Sequence, residues 1–102
     1  MSGRNPDNLI MASAEGDSMA PTIADGDDLL IDITDKRLAN GKIYALSVDG
    51  QMIVKRVARP VHGRYILLIS DNEAYPPEEL GRDAQDTLNI IGQVVWSGGG
   101  MG

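Results

Sequence analysis

Lys42-Ile43-Tyr44-Ala45-Leu46-Ser47-Val48, then Asp49-Gly50, then Gln51-Met52-Ile53-Val54-Lys55-Arg56-Val57 is the stretch that decides the fold. Two runs rich in β-branched and aromatic residues flank Asp-Gly, the pair best suited to a two-residue hairpin turn. A turn of that length fixes the register. Val48 then faces Gln51, Leu46 faces Ile53 and Tyr44 faces Lys55.

The flanking segments repeat the theme. Leu9-Ile10-Met11-Ala12 is a short apolar run that suits a strand, and Asp28-Leu29-Leu30-Ile31-Asp32-Ile33 reads as a strand apolar on both faces. Arg64 to Ser70 and Leu88 to Trp96 read as further strands, the latter with Gly92 as a bulge or bend. Asp71 to Leu80 contains Pro76-Pro77 and reads as a loop that cannot be a central strand. No helix longer than a turn or two is expected. The fold is therefore mostly β, built of short strands and hairpins over residues 9–96. Residues 1–8 read as a flexible lead-in or linker remnant, and the glycine-rich residues 97–102 as a disordered tail.

Composition narrows the function. A chain of 102 residues makes one domain with one core. With no Phe and only 4% aromatic residues, that core must rest on Ile, Leu, Val, Met and Ala. The absence of cysteine removes disulfides, thiolate metal sites and cysteine nucleophiles together, and suits a cytoplasmic setting. A net charge of −6 argues against direct nucleic-acid binding, which needs clustered Lys and Arg. No apolar run approaches the ~18–20 residues of a membrane span. Neither a metal nor a cofactor is expected.

Chemistry points to Gly16-Asp17-Ser18-Met19-Ala20-Pro21-Thr22. Glycine releases the backbone and proline fixes φ near about −65°, so a serine between them is held in a set direction. Such a serine, with its own amide and that of Asp17 turned toward the reacting group, meets the needs of a nucleophile with an oxyanion hole. A helix N-cap serine is the structural alternative. A nucleophile needs a base. The single histidine, His62, lies in a loop without a partner motif and reads as a surface residue. Of the three lysines, Lys36 and Lys42 read as solvated. Lys55 shares a strand face with Ile53 and Val57, opposite Tyr44 and diagonal to Leu46. An ammonium on an apolar face is desolvated, which favours the neutral amine that a general base requires. The alternative is a buried stem with its charge reaching water.

Gly16-Asp17-Ser18-Met19-Ala20-Pro21-Thr22, Asp25-Gly26-Asp27, Val54-Lys55-Arg56, and Ser70-Asp71-Asn72 with Tyr75-Pro76-Pro77 together resemble the LexA-like S24 peptidase domains. These are the C-terminal domains of LexA, lambda-type phage repressors and UmuD. Four motifs in the right order, from about Leu9 to Trp96, carry the resemblance. It implies the LexA/signal-peptidase β fold, Ser18 as nucleophile, Lys55 as general base, and the amides of Asp17 and Ser18 as the oxyanion hole. It further implies autoproteolysis of a linker in a transcriptional repressor of the SOS-response type, with a homodimer and a RecA filament as partners. DNA would be bound only through an N-terminal helix-turn-helix, which these residues do not include. The family's Ala-Gly or Cys-Gly cleavage dipeptide does not occur here. Type I signal peptidases share the serine and lysine elements but not the Ser70-to-Pro77 pattern. The readings to be weighed against a self-cleaving domain are a non-catalytic dimerisation module and a UmuD-like polymerase accessory.

Overall fold

A computed structural model describes residues 5–61, 63 and 65–99. His62 and Arg64, the first residues of the lead-in and the last three of the tail lie outside the described residues.

The chain forms one antiparallel sheet of seven strands: β1 (Leu9–Ser13), β2 (Asp28–Asp32), β3 (Ile43–Val48), β4 (Gln51–Ala58), β5 (Ile66–Ile69), β6 (Glu78–Leu80) and β7 (Asn89–Gly98). Their order across the sheet is β1-β2-β7-β3-β4-β5-β6. One helical turn, α1 (Arg82–Asp86), precedes β7. The fold is thus mostly β, as the strand patterns imply.

The central hairpin has the expected register: Val48 pairs with Gln51, Leu46 with Ile53 and Tyr44 with Lys55. Its turn places both Asp49 and Gly50 at positive φ, which the Asp-Gly pair tolerates. Strand β7 joins the two halves of the sheet by pairing β3 on one side and β2 on the other. It does so with two irregularities, between Ala45 and Leu46 on β3 and between Leu30 and Ile31 on β2. At the first of these sits Gly92, where a Cβ would lie 2.2 Å from the Asp32 carbonyl oxygen. Only glycine permits that approach.

Three boundaries differ from the sequence reading. Residues 78–80, expected in a loop, form β6 on the sheet edge beside β5. Both prolines fall before the ladder, so no pairing amide is missing. Strand β7 runs on through Ser97 and Gly98, which pair with Leu29 and Asp28. The Trp96 ring covers Gly98 so closely that a Cβ there would lie 2.4 Å from it. Packing and ladder bonds thus hold residues whose composition alone suggests a tail. Pro6–Asn8, in the lead-in, form a 3₁₀ turn capped by the Asn5 side chain, which accepts from the Asp7 amide.

Two apolar clusters hold the sheet. One gathers Leu29, Ile31, Ala45 and Val54 with Ala14, Met19 and Ile23. The other gathers Tyr44, Leu46, Val57, Ile66 and Leu68. Neighbouring residues of β3 serve different clusters, because side chains alternate across a strand. Met19 and Ile23 anchor the segment after β1 by burying it in the first cluster, and Ser18 lies beside them.

Candidate functional site

Between β1 and β2 the chain makes a compact turn. Gly16 adopts φ 84°, and its amide donates to Asp25 Oδ1 at 2.8 Å. The Ala20 amide donates to the Asp17 carbonyl at 3.0 Å, and the Ile23 amide to the Met19 carbonyl at 2.9 Å. The peptide bond from Ala20 to Pro21 is cis. Asp27 Oδ2 accepts from the Ala24 amide at 2.8 Å, closing the following Asp-Gly-Asp turn. Ser18 is half-buried at the centre of this turn. No helix follows it, so it is not an N-cap.

Ser18 and Lys55 line the same cleft, a space of about 100 Å³ between this turn and residues 52–55 of β4. Glu15 and Gly16 form one rim, while Met19, Ile23, Met52 and Val54 supply apolar wall. Lys36 and Lys42 are exposed, whereas Lys55 is half-buried. Its Nζ donates to Ser70 Oγ at 2.6 Å. Ser70 is itself buried, at 5% exposure, so the lysine's end is held by a hydroxyl that water does not reach freely. Among the described residues, no protein acceptor engages the amide of Asp17 or of Ser18.

The residues after β5 fasten the turn from behind. Asn72 donates its amide to the Ser18 carbonyl at 2.9 Å and its Nδ2 to the Asp17 carbonyl at 3.0 Å. The Asp71 amide contacts Met19 Sδ at 3.4 Å, and the Tyr75 hydroxyl donates to Asp17 Oδ1 at 2.5 Å. That bond to a carboxylate raises the Tyr75 pKa. Arg56, next to Lys55, donates Nε and Nη2 to the two oxygens of Asp71 at 2.9 and 2.8 Å, and Nη1 to the Gly41 carbonyl at 2.7 Å. The hydrogen bonds from Arg56 hold the Asp71 carboxyl below its ordinary range; burial opposes this, and a Thr22 hydrogen bond supports it.

Ser70-Asp71-Asn72 therefore carries three separate attachments: to Lys55, to Arg56 and to the Ser18 turn. In the sequence this tripeptide is part of a motif whose members carry no assigned role. The β4–β5 ladder, whose register the sequence does not dictate, is what places Ser70: Arg56 pairs with Ile69. One step further along that ladder brings Lys55 to Ser70.

The sequence profile of the Peptidase S24-like family matches residues 1–95, and the chain belongs to that family. It is 40% identical over 97 residues to an uncharacterised HTH-type transcriptional regulator of Haemophilus influenzae, across 94% of this chain and 40% of the relative. It is 36% identical over 97 residues to the HTH-type transcriptional regulator PrtR of Pseudomonas aeruginosa, across 93% and 38%. Against the repressor protein CI of Enterobacteria phage phi80 the identity is 36% over 96 residues, across 92% and 39%. The chain thus spans about two fifths of the length of these relatives. Among the described residues, no helix is long and apolar enough to cross a membrane.

Proposed function

We propose that this chain is the peptidase domain of a repressor-type transcriptional regulator, cleaving its parent's own linker with a Ser18–Lys55 dyad. The observation that supports this best is the shared cleft, which both Ser18 and Lys55 line. A neutral amine has two hydrogens and one lone pair. Donating one hydrogen to Ser70 Oγ leaves the lone pair to accept the Ser18 proton.

In this reading the Ser18 oxygen forms a bond to the peptide carbonyl carbon as its proton passes to Lys55. The carbonyl oxygen takes up the negative charge and is stabilised by the amides of Asp17 and Ser18. Collapse breaks the carbon–nitrogen bond, and the Lys55 ammonium returns its proton to the leaving amine. Water, deprotonated by Lys55, then attacks the ester, releasing a carboxylate and restoring Ser18. A linker tethered to its own domain needs only a modest catalyst, because the substrate's effective concentration is already high. The implied homodimer is supported by apolar surface beside the open edge of β1, where Met11 and Trp96 flank Leu30 across three strands and are 65% and 49% exposed. A RecA filament as activator, DNA bound by an N-terminal segment of the parent, and a cytoplasmic setting belong to the same proposal.

The test is a chain carrying its parent's upstream linker, incubated at alkaline pH and followed by gel and mass spectrometry. Self-cleavage is expected for the parent, and loss of at least ~100-fold for Ser18→Ala and Lys55→Ala, as expected for removal of a nucleophile or its base. Cleavage that survives Lys55→Ala removes the dyad.

A further inference from the structure

Asn72 grips the Ser18 turn with two different groups. Its backbone amide holds the Ser18 carbonyl, and its side-chain Nδ2 holds the Asp17 carbonyl at 3.0 Å. The carboxamide has only one sensible orientation. Oδ1 accepts from the Ala74 amide at 3.0 Å, so exchanging oxygen and nitrogen would oppose like groups at both ends. The Asp17 carbonyl also accepts from the Ala20 amide at 3.0 Å, which occupies both of its lone pairs.

The Asp17 carbonyl and the Ser18 amide belong to one peptide unit. In a trans unit these two groups point in opposite directions. A donor that fixes the carbonyl therefore aims the amide the other way. We infer that Asn72 is a positioning residue: through its side-chain bond to the Asp17 carbonyl, it sets the direction in which the Ser18 N–H meets a charged substrate oxygen. This rests on the reading of Ser18 as nucleophile. The Asp17 amide belongs to the preceding peptide unit, which Asn72 does not touch, so the effect falls on one donor. Asn72 is itself braced, because the Tyr75 amide donates to its carbonyl at 3.1 Å and Asp71 is paired with Arg56 at 2.8 Å.

Two substitutions separate aiming from attachment. Asn72→Asp keeps an acceptor for the Ala74 amide but turns a second oxygen toward the Asp17 carbonyl. Asn72→Ala removes the side-chain bonds without adding repulsion. Both keep the backbone bond to the Ser18 carbonyl. The probe is a fluorophosphonate. Its phosphorus bonds to the Ser18 oxygen as fluoride leaves and the serine proton passes to Lys55, and the phosphonyl oxygen then faces the amides. Labelling of Ser18 is followed by mass spectrometry across pH, and the Ser18 amide proton by NMR before and after labelling.

Both variants are expected to label about 10- to 100-fold more slowly, less than the ~10²–10³ of deleting an oxyanion donor outright. In Asn72→Ala, which adds no charge, the pH midpoint of labelling should match the parent's, since the Lys55–Ser70 contact is untouched. In Asn72→Asp the added carboxylate moves the midpoint by itself, so that variant is read by rate and amide shift only. The downfield movement of the Ser18 amide proton on labelling should shrink in both. Parental rates with a parental amide shift would mean that Asn72 only fastens the loop. A displaced pH midpoint in Asn72→Ala would also overturn the inference, because the effect would then run through Lys55. Melting curves identify a variant that has lost its fold, in which case the other decides. A parent chain that never labels at Ser18 sinks the nucleophile reading itself, and the inference with it.

Discussion

Tyr44 shows what a single residue contributes beyond its pattern. Its ring is wholly buried in the second cluster, and its hydroxyl donates to the Arg37 carbonyl at 2.6 Å while accepting from the Ala39 amide at 2.9 Å. One phenol thus satisfies a donor and an acceptor of the irregular segment before β3. Tyr44→Phe keeps the packing but leaves both backbone groups without that partner. The expected cost is about 1–3 kcal/mol, the usual penalty for orphaned buried polar groups, read as a lower urea midpoint with an unchanged slope. Stability equal to the parent's would mean that water replaces the hydroxyl at no cost. The position of Tyr44 opposite Lys55 was legible in the sequence, because a two-residue turn dictates register. The partners of its hydroxyl were not, since they are backbone groups in a segment without periodicity. Ser70 escaped for a related reason. The connection from β4 to β5 is long, so no turn rule carries register from Lys55 across to it.

At the scale of elements, the strands were legible where alternation or Asp-Gly chemistry was strong, and their edges were not. β6 was hidden because Pro76-Pro77 argue for a loop, yet they only exclude a central strand, and residues 78–80 lie at the edge. The extension of β7 through Gly98 was hidden because glycine carries no side-chain pattern. The bend at Gly92 was legible, and the structure gives its cause: the backbone of β2 passes within 2.2 Å of where a Cβ would stand. Gly92→Ala must therefore push β7 from β2 at the junction of the two sheet halves. A destabilisation of about 1–3 kcal/mol is expected, the usual cost of overpacking. Faster amide exchange should be confined at first to β2 and β7. Exchange that quickens uniformly would show that the sheet yields as one unit and that the contact is not its local weak point.

At the scale of the molecule, the Ser18 turn and β4 are brought together by residues 70–75, and the Arg56–Asp71 pair is the charged part of that bracket. Asp71 is only 12% exposed and receives two guanidinium bonds, which lower its pKa in the folded chain. The unfolded chain therefore binds this proton more tightly than the folded one. The resulting stability is fully present above the unfolded carboxylate value of ~4 and is lost as pH falls through the lower folded value. Asp71→Asn preserves size but removes the charge at every pH. At pH 7 the variant should be less stable by about 1–3 kcal/mol, the range for hydrogen bonds to charged groups. Below pH ~4 the gap should close, because the parent loses the same charge by protonation. Urea unfolding of both proteins between pH 7 and pH 2 measures this directly. A gap that stays constant to pH 2 would mean that the loss comes from replacing an acceptor oxygen with an amide nitrogen, not from the charge. In that case the charge beside Lys55 would have no part in holding the serine turn against the sheet.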